Sequence, residues 1–249
     1  MRLAVDIGNT NTKAVRMDNG TVKGFCTGAQ DEVLRAVAGS RFDEVVLSSV
    51  GEVNAGWKAL AEEKGASFSL FPEHCELPFE VAYATPETLG PDRLAAAVGA
   101  VGLIGEGQGC VVIDAGSCIT IDYVDAGRTF QGGVILPGLD MRFRALHTFT
   151  AKLPLLSVNE VKEWPELVGK STAECMLTGV LNAAVFEIDA FVARLSAQGE
   201  ALRVMVTGGS AQMLASKLAC KAEAVDNLVI RGLCSVKTSS ADSPNRKMQ

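Results

Sequence analysis

Val5-Asp6-Ile7-Gly8-Asn9-Thr10-Asn11-Thr12-Lys13 sets a carboxylate, a glycine, a string of amide and hydroxyl residues and a lysine directly behind the apolar run Leu3-Ala4-Val5. The apolar run reads as a buried strand, and Ala14-Val15 resumes apolar character after the polar gap, which predicts two strands hairpinned through Gly8-Asn9-Thr10. Gly8 lets backbone pass close to a ligand, and the turn's N–H groups, with the hydroxyls of Thr10 and Thr12, form a concavity suited to an anion. Lys13 adds a point charge. Asp6 would repel phosphate directly, so its expected task is to hold a hydrated cation facing it. A solvated Asn-Thr hairpin is the alternative for this segment taken alone.

A second copy changes that balance. Val112-Ile113-Asp114-Ala115-Gly116-Ser117-Cys118-Ile119-Thr120 aligns with the first stretch so that Asp6 meets Asp114, Gly8 meets Gly116 and Thr12 meets Thr120, a constant offset of 114 − 6 = 108 residues. Each copy continues into extended sequence broken by a turn, Asp18-Asn19-Gly20 in the first and Asp125-Ala126-Gly127 in the second, both suited to tight hairpins. A repeat of this length implies two similar α/β halves rather than a solenoid. Two aspartates at matching strand ends are then expected to meet in a cleft between the halves.

Further short motifs follow in order: Gly90-Pro91-Asp92-Arg93, Gly132-Gly133-Val134-Ile135-Leu136-Pro137-Gly138, Thr150-Ala151-Lys152-Leu153-Pro154 and Thr207-Gly208-Gly209. With the two Asp-x-Gly loops, they make the chain similar over nearly its whole length to the type III pantothenate kinases, within the acetate and sugar kinase, heat-shock chaperone and actin superfamily. The fold the resemblance implies is α/β, with duplicated ribonuclease H-like (actin-like ATPase) lobes around a central nucleotide cleft. Lobes are expected over 1–106 and 107–235, with a disordered tail over 236–249. The activity implied is ATP-dependent phosphorylation of pantothenate to 4′-phosphopantothenate, the first step of coenzyme A biosynthesis.

The resemblance also implies roles. Asp6, Ile7, Gly8, Asn9, Thr10, Asn11, Thr12, Lys13 and Ser117 would bind ATP, Asp6 would manage its magnesium, and Asp114 would hold a monovalent cation, potassium or ammonium. Asp92 would be the base for the attacking hydroxyl. Tyr83, Gly90, Pro91, Asp92, Arg93 and Thr172 would bind pantothenate, and the protein would be a homodimer. Two rivals stand beside this reading: a kinase of the same architecture for another small alcohol or acid, and a nucleotide-gated regulator like the accessory transcription factors that resemble the family. The second loop departs from the usual Asp-x-Gly-Thr-Ala-x-Thr pattern at Ser117 and Cys118. Serine keeps the hydroxyl, and Cys118 reads as a small packing residue because phosphoryl transfer to an alcohol needs no covalent enzyme intermediate.

Residue chemistry alone leaves several of these positions open. Asp92 near a helix start caps that helix as naturally as it orients an alcohol. Tyr83, in a proline-punctuated stretch between Pro72 and Thr88, serves packing as readily as ligand contact. Thr172 follows Ser171 in a capping box that opens a long amphipathic helix, and Arg142 and Arg144 read as a solvated helix face.

Composition bounds the rest. The chain has 249 residues, 48% hydrophobic and 21% charged, with 23 basic against 29 acidic side chains and a net charge of −6. That is enough for two lobes with substantial cores, and scattered basic residues disfavour nucleic acid. Seven cysteines with no Cys-x-x-Cys pair and only two histidines, His74 and His147, suit a reducing cytoplasm and disfavour a zinc site or a Ser-His-Asp triad. No signal peptide is read at the N-terminus, and no unbroken apolar run reaches the roughly 18 residues of a membrane span.

Overall fold

In a computed structural model, which describes residues 1–239, the chain opens with β1 (Arg2–Ile7), β2 (Thr12–Asp18), β3 (Thr21–Gly28) and α1 (Gln30–Ala38). β4 (Glu44–Ser49), α2 (Gly56–Lys64), β5 (Ser67–Leu70), β6 (Cys75–Glu76), β7 (Glu80–Val81) and α3 (Pro91–Val101) follow. Then come β8 (Gly109–Ala115), β9 (Cys118–Val124), β10 (Thr129–Pro137), α4 (Leu139–Thr148) and α5 (Thr172–Ser196). β11 (Leu202–Thr207), α6 (Ala211–Ala215), β12 (Ala222–Ala224), α7 (Leu228–Ser235) and β13 (Lys237–Thr238) complete the order. The segment read as irregular between Pro72 and Thr88 carries the two short strands β6 and β7.

The first sheet has the order β3-β2-β1-β4-β5, antiparallel from β1 outward through β2 and β3, parallel through β4 and β5. The second, read from β10, runs β10-β9-β8-β11-β12, the same sequence of places, with β7 added beyond β10. The 108-residue offset is therefore a repeat of topology as well as of motif. The first hairpin turns through Asn19 and Gly20, both at positive φ (47° and 77°), the pairing that matches strand twist. In the second, the left-handed residue is Arg128 (φ 62°) and not Gly127. Its guanidinium donates to the carbonyls of Val101, Ile104 and Gly105, so Arg128 neutralises the C-terminal end of α3.

Two compact units emerge. Unit 1 holds Met1–Gly107, Tyr123–Gly132 and the segment from Asn227; unit 2 holds Gln108–Asp122 and Gly133–Asp226. In unit 1, Leu3, Val5, Ile7, Val45 and Leu47 share a core with Val33 and Val37 of α1 and Trp57, Leu60 and Ala61 of α2. Ala4 and Val46, which alternate with them, are also fully buried, and α7 lies against β1 and β4, so the sheet is covered on both faces. α3 and α7 pack through glycine: a Cβ on Gly99 would collide with the Leu228 carbonyl, and one on Gly232 with the Ala95 carbonyl.

β13 pairs with β6, Lys237 opposite Glu76 and Thr238 opposite Cys75, so the expected disordered tail does not begin at 236; its remainder, 240–249, lies outside the described residues. Unit 2 is built on α5, whose N-cap Ser171 and Glu174 exchange the expected capping-box bonds. Arg142 corrects the solvated-face reading: it forks onto Glu187 of α5 at 3.1 and 2.6 Å and donates to the Pro137 carbonyl at 2.9 Å. Arg144 is exposed, as expected. Among the described residues α5 is also long and apolar enough to cross a membrane by length and composition, with mean hydropathy 1.6 over an 18-residue window, although polar residues interrupt its apolar run.

Candidate active site

In unit 1 the opening motif sits where β1 ends. Gly8 N bonds the Asn11 carbonyl at 3.1 Å, closing a loop on which Asn9, Thr10 and Asn11 are exposed. Thr12 is buried beneath it and pairs with Ile7; Lys13 pairs with Asp6, so the lysine and the half-buried carboxylate are cross-strand neighbours. On the other side of β1, Ser48 stands opposite Asp6; its fully buried Oγ has no hydrogen-bond partner among the described residues.

Gly90-Pro91-Asp92-Arg93 lies at the start of α3, with Gly90 as N-cap and Pro91 in the first turn, where its missing N–H costs nothing. A Cβ on Gly90 would stand 2.5 Å from Asp92 Oδ1, so the bare glycine makes room for the carboxylate. That Oδ1 accepts from Arg93 N at 2.9 Å, which fixes the half-buried side chain over the helix start. Arg93 is buried, at 6% exposure, with its guanidinium over the rings of Tyr83 and Phe130. Unit 1 thus brings Tyr83, Gly90, Pro91, Asp92 and Arg93 together around one helix end.

In unit 2 Asp114 is the penultimate residue of β8 and half-buried, with Gly116 and Ser117 exposed in a turn closed by Gly116 N to the Cys118 carbonyl at 2.9 Å. Two glycines press on this turn. Gly138, N-cap of α4, is so close that an added Cβ would stand 2.6 Å from the Gly116 carbonyl, nearer still to that of Ser117. Gly208, at φ 93°, leaves no space for a Cβ beside Asp114 Oδ1 and the Ala115 backbone, the latter 2.6 Å away. The freedom of Gly208 thus packs the β11–α6 turn onto the Asp114 loop; Gly209 is the open position, with nothing within 4 Å of a Cβ. Gly138 had no role by sequence: its motif was visible, but not the carbonyls it meets 21 residues away (138 − 117 = 21). Thr172 is exposed in the first turn of α5.

Among the described residues no three His, Cys, Asp or Glu side chains gather into a metal-holding group. Single carboxylates at Asp6 and Asp114 suit ions that complete their shells with phosphate, carbonyl and water, as magnesium and potassium do, and do not suit zinc. Both histidines are spent structurally: His74 Nδ1 accepts from Leu70 N, and His147 Nδ1 bonds the Leu153 carbonyl. A cavity of about 520 Å³ lies at the opposite end of β1 from Asp6, lined in part by Arg2, Asp18 and Glu44. Arg2 there is committed to Glu44 and to the carbonyls of Leu233, Cys234 and Val236, so that cavity is a structural joint.

Over residues 2–194 the sequence matches the profile of the type III pantothenate kinases. A type III pantothenate kinase of Flavobacterium johnsoniae is 35% identical over 238 residues, covering 94% of this chain and 96% of the relative. The chain belongs to the type III pantothenate kinase family. Membership makes it a phosphotransferase with ATP as donor, and the sheet order repeated in both halves is an actin-like arrangement. A sugar-acid kinase fold shares it: a candidate 2-dehydro-3-deoxygalactonokinase of Sinorhizobium meliloti superposes with a TM-score of 0.57 at 15% identity, over 94% of this chain and 97% of that one. A conserved Campylobacter jejuni protein described as a candidate Baf family transcriptional activator superposes with a TM-score of 0.60 at 25% identity, over 93% and 95% of the two chains.

Proposed function

We propose that this type III pantothenate kinase transfers the terminal phosphoryl group of ATP to the primary hydroxyl of pantothenate, with the residues named above in distinct roles. The loop from Asp6, Ile7 and Gly8 through Asn9, Thr10, Asn11 and Thr12 to Lys13 receives phosphate by backbone N–H and hydroxyl donation, and Lys13 supplies positive charge. Asp6 holds the magnesium that accompanies ATP. Bound there, magnesium neutralises charge on the phosphate oxygens. Ser117 donates to phosphate from the second loop, and the N-terminus of α4 behind it faces the same charge favourably. Asp114 holds a potassium ion.

Phosphoryl transfer asks for alignment and charge neutralisation more than for a strong base. Asp92 therefore orients the hydroxyl and takes its proton as the new bond forms, while Tyr83, Arg93 and Thr172 fix the remainder of the acceptor. None of the seven cysteines forms a disulfide, which suits a cytoplasmic enzyme. The observation that carries the assignment is the family match spanning residues 2–194 together with the carboxylate of Asp92, held half-exposed at the α3 N-terminus by Arg93 N.

An assay with pantothenate and ATP, with and without potassium, tests this. Asp92→Asn is expected to lower turnover by about 100-fold or more while ATP binding is kept, and potassium is expected to be required. Undiminished turnover in the variant removes Asp92 from its role. The C. jejuni likeness favours a second reading, a nucleotide-gated regulator that binds ATP and leaves pantothenate untouched. Retention of the Gly90-to-Arg93 motif weighs against it, and ADP release across a panel of small alcohols and acids separates both from a kinase for another acceptor.

A further inference from the structure

Tyr83, Arg93, Phe130 and Gly132 form one stack inside unit 1, and Phe130 and Gly132 have no part in the roles assigned above. Strand register builds the stack. β7 runs parallel to β10, with Glu80 opposite Thr129 and Val81 opposite Phe130, and Ala82 N donates to the Phe130 carbonyl at 2.9 Å. Continued by two residues, the same register sets Tyr83 beside Gly132. Gly132 has φ 93°, and a Cβ there would stand 3.3 Å from Tyr83 Cδ2 and Cε2, so the ring lies against a bare Cα.

Arg93 also faces that ring. Its Cζ lies 5.7 Å from the Tyr83 centroid and 6.0 Å from that of Phe130, so the guanidinium is within cation–π reach of two aromatic rings. Phe130 is fully buried and stacked on Phe79, with centroids 6.2 Å apart and planes 26° apart, and is the fixed jaw. Tyr83, half-buried and held by the short strand β7, is the jaw that Gly132 locates. Arginine is rich in rotamers, and immobilising it before substrate arrives lowers the cost of binding.

We infer that Gly132 and Phe130 are positioning residues for the acceptor: acting through Tyr83 and across the stack, they hold the Arg93 guanidinium in the orientation that receives it. This rests on Arg93 contacting pantothenate, as proposed above. An alanine at Gly132 pushes the Tyr83 ring and is strained in its own backbone; a double-mutant cycle with Tyr83 separates the two effects, since the backbone strain is the same with or without the ring.

The test measures KM for pantothenate and for ATP, and kcat, in Gly132→Ala, Tyr83→Ala, their double variant, Tyr83→Phe and Phe130→Leu. Gly132→Ala, Tyr83→Ala and Phe130→Leu are each expected to raise the pantothenate KM about tenfold with the ATP KM within about twofold, and the double variant no more than either of its parents. Tyr83→Phe keeps the ring face and loses only the hydroxyl, so it is expected to raise the pantothenate KM by less than Tyr83→Ala does. Additive effects of Gly132→Ala and Tyr83→Ala, equal rises in both KM values, or a Tyr83→Phe variant as impaired as Tyr83→Ala overturn the clamp. Should Gly132→Ala fail to fold, Phe130→Leu decides: an unchanged pantothenate KM in that variant overturns the clamp. Wild-type protein inactive on pantothenate removes the functional reading and the clamp together; active protein with an insensitive pantothenate KM removes the clamp alone.

Discussion

Gly138 adopts φ −65° and ψ 166°, a conformation any residue can take, so its smallness is required only by the carbonyls of Gly116 and Ser117 that it faces. Gly138→Ala is therefore expected to displace the second phosphate loop and raise the ATP KM about tenfold, on the scale of overpacking a tight contact, with the pantothenate KM little changed. Steady-state kinetics with each substrate varied checks it. A second residue-scale outcome concerns Glu44. Burial raises its pKa, but hydrogen bonds from Arg2 and Thr238 and the charge of Arg2 outweigh this, and the carboxyl is held below its ordinary 4.5. A depressed folded pKa gives stability that is present above the unfolded value and lost as pH falls through the folded one. The gap in urea midpoint between wild type and Glu44→Gln is thus expected to be full at pH 7, to narrow below about pH 4.5 and to close at lower pH.

Among the elements, the α3–α7 pair is where small size is most demanded. Gly232→Ala drives a methyl into the Ala95 carbonyl, so a loss of about 1 to 3 kcal/mol is expected from thermal or urea unfolding. Gly39→Ala, at φ −77° with nothing within 4 Å of its Cβ, is the control and should change stability little. The small residues of Leu94 to Val101 carry no signal of their partner, since α7 follows more than 120 residues later (228 − 101 = 127). The same limit hid the β13–β6 pairing, the addition of β7 to β10 and the Arg142–Glu187 fork: each joins residues whose local patterns carry no mutual signal. What was legible had local causes: Asp-Gly turns behind apolar strands, Asn19-Gly20 at a hairpin, Ser171 and Glu174 at a helix start. Asp92 stands between, since a helix-capping aspartate and an alcohol-orienting one look alike in sequence, and in the structure its carboxylate both accepts from Arg93 N at the helix start and stands beside the bare Gly90.

For the whole molecule, duplication was readable because both copies kept Asp, Gly and Thr at one offset, whereas the placing of α7 in unit 1, and not with the expected 107–235 lobe, came only with the coordinates. Unit 2 raises the remaining question of assembly. It exposes Ile135, Phe149, Leu167, Val168 and Phe186, at 61%, 85%, 66%, 72% and 56% of their surface. α5 shares in this: only 39% of its most apolar window is buried by its own chain. Its polar side chains are nonetheless committed within unit 2, Asn182 to Trp164, Glu187 to Arg142 and Asp189 to the backbone of Ala219, which marks a core helix with one face left to cover. A second copy covers such a face by presenting the same one, the isologous arrangement of a twofold dimer. Wild-type protein is accordingly expected to sediment at twice 26.1 kDa. Phe186→Glu, placing a charge at 56% exposure on α5 where it leaves the folded core untouched, should shift it to 26.1 kDa with unchanged circular dichroism. Wild-type protein sedimenting as a monomer, or a variant that remains dimeric, would show that this face is covered by something else.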